Sequence, residues 1–217
     1  MLKLIDANNS CCNWILHTPS NIVGVTQPYS CFVLAGGKST RFGTNKSLAL
    51  VGAKHMAHVV ASNLKIAFGC EARLVGADAR TSSEIGLDSV SGPREGSGPL
   101  GAIIDAMEIS ECALIAFAPN DTPFFSADNF AALLAKIEDS GSDAVVAMDD
   151  SDSRQKHWLL SVWRKEPCLS ILRNEYERGG RSIHGAVIDL RIETVECDAA
   201  SVRNVNTVSD MPDDGTI

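Results

Sequence analysis

The sequence lacks several features, and each absence excludes a class of protein. Its 217 residues hold no apolar run near the ~18–20 residues that a membrane span needs, so the sequence predicts a soluble protein. Lysine and arginine number 19 against 27 acidic residues, a net charge of −8. Without a basic excess to neutralise phosphates, general nucleic-acid binding is excluded. Aromatic residues make up only 6% of a chain that is otherwise composed like one globular domain.

Disulfide and zinc patterns are also missing. The seven cysteines are odd in number, form no C-x-x-C pair and often lie in apolar runs. They therefore predict reduced, mostly buried thiols in a cytoplasmic protein. Residues 1–29 lack the basic start and apolar core of a secretory signal. We expect them to form an N-terminal extension that is only partly ordered, and residues 30–217 to form a single domain.

Short apolar runs typical of strands alternate with segments of helical periodicity. The predicted strands are 31–34, 72–75, 87–90, 113–118, 144–147, 159–163 and 194–197. The predicted helices are 54–68, 99–109, 126–139 and 167–177. This alternation predicts an α/β fold with a mostly parallel sheet and helices on both faces. Ligands of such sheets bind beyond the carboxyl ends of the strands.

The loop after the first predicted strand is rich in glycine and positive charge. It runs Leu34-Ala-Gly-Gly-Lys-Ser-Thr-Arg-Phe-Gly-Thr-Asn-Lys46, and its glycine spacing fits neither a Walker A motif nor the dinucleotide fingerprint. Its cations are Lys38, Arg41 and Lys46. Its small residues are Ala35, Gly36 and Gly37. Exposed backbone N–H groups beside three cations indicate a site for phosphates.

Two further loops have the composition of a ligand site. Pro119-Asn-Asp-Thr-Pro-Phe124 follows the most apolar strand, and its Asp121 is well placed to hold Mg2+, which takes one or two carboxylates together with phosphate oxygens. The alternative role for Asp121 is to cap the next helix. Gly98-Pro-Leu100 opens another helix. Together the loops fit nucleotide phosphates, one metal ion and a sugar or base.

Five segments resemble, in order, the motifs of the molybdenum cofactor guanylyltransferase family. Leu34–Lys46 is similar to L-A-G-G-x-S-x-R-x-G-x-D-K, Gly98-Pro-Leu-Gly-Ala102 to G-P-L-x-G and Asn120-Asp-Thr-Pro123 to C-D-T-P. Arg203-Asn-Val-Asn-Thr207 is similar to N-x-N-T, and Gly180-Arg-Ser182 is a weaker match to G-x-R-S. The matches span residues 31–210.

The resemblance implies a Rossmann-like three-layer sandwich of the nucleotide-diphospho-sugar transferase type, with a mostly parallel central sheet. It implies an enzyme that transfers GMP from Mg-GTP to the terminal phosphate of the molybdenum-molybdopterin cofactor and releases pyrophosphate. The implied cofactor is Mg2+, and the implied ligands are GTP and the molybdopterin cofactor. Molybdoenzymes or their chaperones would receive the product, and neither nucleic acid nor a membrane would be a partner.

The resemblance also implies roles for individual residues. Arg41 and Lys46 would contact the triphosphate and Asp121 would hold Mg2+, as the catalytic residues. The expected binding residues are Leu34, Ala35, Gly36, Gly37, Lys46, Gly98, Asn204 and Asn206. The first three of these would hold guanine and the ribose phosphate. Asn204 and Asn206 would face the pterin, with turn formation as their alternative role.

Departures from the family pattern leave alternatives open. Asn45 replaces the acid before the family lysine, as in related cytidylyltransferases, although Ala35-Gly-Gly37 favours guanine. Ser91 stands where the family often has an aspartate that helps to read the nucleotide. His157-Trp158 replaces the His-Pro of some relatives. CMP transfer, another small acceptor and a catalytically silent cofactor-binding relative remain alternatives.

Two expectations concern residues outside the motifs. Trp158 and Trp163 alternate with apolar residues on a predicted strand, so both are expected in the core. Asp149-Asp-Ser-Asp152 is expected to be a solvated loop.

Overall fold

The structure is a computed structural model that describes residues 29–35, 48–206 and 210. Its strands are β1 (Tyr29–Leu34), β2 (Leu50–Val51), β3 (Lys54–His55), β4 (Ala72–Val75), β5 (Ser89–Val90), β6 (Leu114–Pro119), β7 (Ala144–Asp149), β8 (Lys156–Arg164) and β9 (Ile192–Cys197). Its helices are α1 (Met56–Phe68), α2 (Ala79–Ile85), α3 (Gly98–Ile109), α4 (Ala127–Asp139), α5 (Lys165–Glu177) and α6 (Ile183–Ala186).

Seven of these strands form one sheet in the order β5-β4-β1-β6-β8-β7-β9. The pairs β5–β4, β4–β1, β1–β6 and β7–β9 are parallel, whereas β8 is antiparallel to both of its neighbours. The prediction of a mostly parallel sheet is confirmed, and β9 lies at one edge of it. Strands β2 and β3 pair separately as an antiparallel ribbon.

The sheet is buried on both faces because its central strands are apolar on both sides. In β1, Val33 packs in one core with α1 and α4, while Phe32 packs in a second core with α3 and α5. In β6, Ala116 and Phe117 divide between the two cores in the same way. The alternation follows from the two-residue period of a strand. The result is helix, sheet and helix layers, which confirms the three-layer α/β sandwich.

Local sequence signals set several helix ends. Gly69 ends α1 in the left-handed conformation at φ 69°, and its N–H donates to Lys65 O. The Ser126 side chain begins α4 by accepting from Asn129 N at 3.2 Å. Pro99 lies in the first turn of α3. The β2–β3 ribbon and the short helices α2 and α6 were not predicted, because each is too short to show a period.

The cysteines agree with the expectation at four positions and contradict it at one. Cys31, Cys70, Cys168 and Cys197 are buried free thiols, and burial raises the pKa of Cys168 to about 12. Cys112, however, is disulfide-bonded, so the expectation of reduced thiols is wrong there. Sequence spacing alone does not reveal such a pairing.

Two further expectations can be compared with the structure only over the residues that it describes. No helix within residues 29–35, 48–206 and 210 combines the length and apolar character needed to cross a membrane. Residues 1–28 of the expected extension lie outside the described residues, so the domain boundary at residue 30 stays a prediction.

Candidate functional site

The carboxyl ends of β1 and β6 lie side by side at the middle of the sheet. Their parallel register pairs Leu34 with Pro119, and one step further Asn120 N donates to Leu34 O at 3.1 Å. On the other side of β1, Ala35 N donates to Val75 O at 2.9 Å. The loop that follows Leu34 and the loop that contains Asp121 therefore start next to each other, at the edge where α/β sheets bind ligands.

A cavity of about 810 Å3 opens at this edge of the sheet. Four residues expected in the site line it: Leu34, Gly98, Asp121 and Asn204. They are separated by up to 170 positions in the chain, so it is the fold that brings them together. The volume falls in the range of small-molecule and cofactor sites. The four residues therefore share one cavity, and their roles in it stay predictions.

The other expected site residues divide into two groups. Ala35 is half-buried directly after β1, and Asn206 is exposed, with its N–H donating to Asp210 Oδ2 at 2.7 Å. The residues outside the described chain are Gly36, Gly37, Arg41 and Lys46. Their expected contacts with a nucleotide therefore stay predictions.

Asp121 lies in a tightly bonded turn after β6. The Thr122 hydroxyl donates to Pro119 O at 3.1 Å, and Phe125 N donates to Thr122 O at 3.2 Å. Asp121 O accepts from Val205 N at 2.7 Å, which ties the C-terminal segment carrying Asn204 to this turn. The cap of α4 is Ser126, so Asp121 does not serve as the N-cap of that helix. Its Oδ1 atom is buried, and the residue faces the cavity.

A divalent cation would need ligands from a bound molecule at this turn. Within the described residues no group of three or more His, Cys, Asp or Glu side chains could hold a metal by itself. Asp121 nevertheless supplies one hard carboxylate on the cavity wall. Mg2+ uses one or two carboxylates and completes its octahedron with phosphate oxygens and water. The donor set therefore fits Mg2+ bound together with a phosphorylated ligand.

The loop before α3 is held against that helix by a buried ion pair. Asp105 is 3% exposed, and its carboxylate accepts from Arg94 N at 3.0 Å and from Arg94 Nη1 at 2.7 Å. Arg94 also donates to Glu108, which accepts from Arg173 on α5 at 2.7 Å. Gly92 is required here because a Cβ on it would lie 2.3 Å from Asp105 Cγ. We call Gly92, Arg94, Asp105 and Glu108 the α3 latch.

The ion pairs of the α3 latch also shift the pKa values of its members. Burial raises the pKa of Glu108, but the hydrogen bonds from Arg94 and Arg173 outweigh it and hold that pKa below its ordinary value. The hydrogen bond to Glu108 raises the pKa of Arg94. Arg94, Asp105 and Gly98 all line the cavity. The latch therefore fixes the wall on the β5 side, where Ser91 also lies.

The opposite wall belongs to β8 and contains a large bulge. Val146 pairs with Ser161, but the next residue of β7, Ala147, pairs with His157. Trp158 and the two leucines after it therefore leave the regular ladder. Bulges next to binding sites re-aim side chains, and here Trp158 is half-buried and lines the cavity. The expectation of a core position is confirmed for Trp163, which is fully buried, and holds only in part for Trp158, which packs against the second core and also lines the cavity.

Asp149 also differs from the expectation of a solvated loop. It ends β7 at 6% exposure, because it accepts from Ser151 Oγ at 2.5 Å and from Gln155 N at 3.1 Å. These hydrogen bonds, with Ser151 contributing most, lower the pKa of Asp149. Its other oxygen lies 3.4 Å from His157 Nε2. Asp149 therefore holds the turn that leads into the β8 bulge.

Sequence reasoning missed the latch and the bulge, but one signal for the latch was available. Asp105 interrupts the apolar run Ile103-Ile-Asp-Ala-Met107 of a predicted helix. An acid on a buried helical face is almost never found without a partner, and Arg94 in the preceding loop is the nearest cation. The bulge had no such signal, because alternating apolar residues predict a regular strand.

A family model and known proteins match this chain. The model of the MobA-like NTP transferase domain matches residues 31–191, which is 161 of 217 residues. A probable molybdenum cofactor guanylyltransferase of Bacillus cereus (strain B4264) is 27% identical over 187 residues, which cover 82% of this chain and 92% of that protein. One of Deinococcus radiodurans is 32% identical over 108 residues, but the match covers only 50% of this chain and 54% of that relative.

The fold is shared with solved structures as well. Molybdopterin-guanine dinucleotide biosynthesis protein A from Archaeoglobus fulgidus superposes with a TM-score of 0.68. The match covers 83% of this chain and 94% of that one, at 19% sequence identity. At this identity the likeness concerns the fold alone, and it agrees with the three-layer architecture described above.

Proposed function

The chain belongs to the family of MobA-like NTP transferase domains, and from this premise we propose its reaction. As a nucleotidyltransferase, it transfers GMP from Mg-GTP to the terminal phosphate of the molybdenum-molybdopterin cofactor. The products are the guanine dinucleotide cofactor and pyrophosphate. One observation carries the proposal: residues from four segments that resemble the guanylyltransferase motifs, namely Leu34, Gly98, Asp121 and Asn204, line a single cavity.

The reaction forms one bond and breaks one. An oxygen of the acceptor's terminal phosphate attacks the α-phosphorus of GTP, and the bond from that phosphorus to the bridging oxygen of the β-phosphate breaks. The electron pair leaves with pyrophosphate. No covalent enzyme intermediate is needed because the phosphate is already a nucleophile. Catalysis then consists of alignment and of charge neutralisation at the α-phosphate.

The residues of the chain divide this work between them. Leu34 and Ala35, with Gly36 and Gly37, hold the guanosine end of the donor. Arg41 and Lys46 neutralise the triphosphate. Asn204 faces the acceptor together with Asn206. The Val205–Asp121 hydrogen bond joins this acceptor segment to the turn after β6, so both substrates are aligned against one rigid element.

Asp121 is the residue that would hold Mg2+ in this scheme. When bound, the ion would supply positive charge to the phosphates during transfer. The protein's own contribution is to keep the Asp121 carboxylate at the sheet edge through the hydrogen bonds of the 119–125 turn. The guanine dinucleotide would then pass to molybdoenzymes or their chaperones.

A second candidate is CMP transfer to the same acceptor. Asn45 favours it, because related cytidylyltransferases carry this departure from the acid of the guanylyltransferase motif. The small residues at 35–37 favour guanine, and we therefore expect GTP to exceed CTP in kcat/KM by a clear margin. A better rate with CTP would replace the first proposal by the second.

One incubation tests the proposal directly. Purified protein is mixed with Mg2+, the molybdopterin cofactor and either GTP or CTP, and both pyrophosphate and the dinucleotide mass are measured. The expected result is pyrophosphate release that requires the acceptor, together with the guanine dinucleotide. A control without acceptor detects simple GTP hydrolysis. If neither nucleotide yields pyrophosphate or a dinucleotide, the proposal is wrong, and the chain either uses another small acceptor or is a silent cofactor-binding relative.

A further inference from the structure

The cavity wall on the β8 side includes Lys156, His157 and Trp158, which we call the β8 wall. Because β8 is antiparallel to β6, its first residues lie at the same sheet edge as the carboxyl ends of the parallel strands. In the strand order, β8 follows β6 on the side away from β1. The β8 wall therefore stands across Asp121 from the Leu34 loop.

Two side-chain contacts hold the β8 wall in place. The bulge removes Trp158 from the sheet ladder, and β8 pairs with β6 only from Ser161 onward. His184, which lies in α6, meets the Trp158 ring edge to face, with centroids 5.9 Å apart and planes at 87°. His157 is oriented by Asp149 at 3.4 Å. The indole thus has a defined orientation at the cavity.

We propose that the β8 wall binds the acceptor, with the Trp158 indole stacked on a flat heterocyclic ring and the Lys156 ammonium on the acceptor's phosphate. The inference rests on the proposed function, in which the nucleotide occupies the Leu34 side of Asp121 and a phosphorylated heterocycle occupies the other. A planar ring system gains stacking energy on an aromatic surface of this kind, and tryptophan offers the largest one.

Lys156 is suited to the second part of this role. It is exposed, and its Nζ lies 5.5 Å from the centroid of the Trp158 ring. A cation–π contact at an exposed site is weak, so an incoming ring and phosphate can displace it. The lysine then acts as a point charge for the phosphate while its stem stays beside the indole. In a chain with a net charge of −8, a cation on the cavity wall favours the binding of an anionic acceptor.

Calorimetric titration of the full chain tests the role of Trp158 without any turnover. The probe is a metal-free pterin that carries a side-chain phosphate monoester. We expect Trp158→Ala to weaken probe binding at least tenfold, and Trp158→Phe to stay within threefold of the wild type. Affinity for GTP with Mg2+ should change less than twofold in both. Ile66→Ala, which removes an exposed residue of α1, serves as the control and should leave both affinities unchanged.

A second variant tests the contact with the phosphate separately from the contact with the ring. Lys156→Ala should weaken binding of the phosphorylated pterin at least fivefold and leave the unphosphorylated pterin within twofold. The stacking role is overturned if the wild type binds no pterin at millimolar concentration, or if Trp158→Ala binds it as well as the wild type. Equal losses for GTP and pterin would also overturn it. Because the readout is binding, failure of GMP transfer is a separate result that concerns the proposed function alone.

Discussion

Gly92→Ala should unfold the protein at a clearly lower temperature, because the α3 latch has no room for a methyl group. The new Cβ would lie 2.3 Å from Asp105 Cγ and 2.6 Å from Asp105 Oδ2, closer than real Cβ contacts come. Asp105 is buried on α3, and any movement of its carboxylate breaks its hydrogen bonds with Arg94. The substitution must therefore displace either the carboxylate or the loop that contains Arg94.

The hydrogen bonds that Gly92→Ala would break set the size of the loss in stability. The Asp105 carboxylate accepts two hydrogen bonds from Arg94, at 2.7 and 3.0 Å. A hydrogen bond to a charged group contributes about 1.5–3 kcal/mol, so losing both costs at least about 3 kcal/mol. Replacing glycine restricts the unfolded chain and returns about 0.4–1 kcal/mol. The net loss of about 2 kcal/mol or more lowers the Tm by about 4–8 °C in a chain of this size.

Thermal unfolding followed by circular dichroism measures this shift. Gly141→Ala is the matched control, because its Cβ would meet only Arg191 Nη1, at an ordinary 3.7 Å. We expect the control to melt at or slightly above the wild-type temperature. Since the latch fixes one cavity wall, Gly92→Ala should also weaken GTP binding at least tenfold. If Gly92→Ala melts as the control does, the latch does not hold the loop and the reasoning fails.

Three further substitutions test single residues of the site. Asp121→Asn should keep the circular dichroism of the wild type and lose two orders of magnitude or more of activity, partly restored by excess Mn2+; normal turnover would contradict the metal role. Lys46→Ala should weaken GTP binding or turnover at least tenfold, which corresponds to about 1.4 kcal/mol. If GTP affinity and turnover are both unchanged, Lys46 does not contact the triphosphate. Glu108→Gln should lower the unfolding free energy at neutral pH by about 1.5–3 kcal/mol. The Glu108 pKa lies below its ordinary value of 4.5, so this difference in unfolding free energy should be fully present above pH 4.5. It should vanish as the pH falls through the lowered pKa, and denaturant unfolding across the acid range measures it.

The sequence was sufficient for the parts of the fold that local signals control. The apolar run 113–118 predicted a strand, which the structure has at Leu114–Pro119. The helices predicted over 54–68 and 126–139 end and begin where Gly69 and Ser126 cap them. Asp121 could be placed at the ligand edge because whatever follows a buried parallel strand must emerge there. Each of these predictions depends only on residues that are close together in the sequence.

The remaining features depend on contacts between distant segments. The direction of β8 within the sheet has no local signature, since a strand reads the same whichever way it runs. The Trp158 bulge arises where β8 meets β7, and only the pairing of Val146 with Ser161 and of Ala147 with His157 reveals it. The same is true of the Val205–Asp121 hydrogen bond, which joins residues 84 positions apart.

The reversed direction of β8 makes the two halves of the cavity modular. The Leu34 side of the cavity and the wall held by the latch come from residues before 106, whereas the β8 wall lies at the first residues of β8, directly after the β7–β8 turn. A change of length or sequence within 150–158 therefore alters the β8 wall, while Leu34, Asp121 and Asn204 are carried by other segments of the chain. Evolution could therefore change the acceptor while the transferred nucleotide stays the same. A protein engineer could do the same by grafting that one turn.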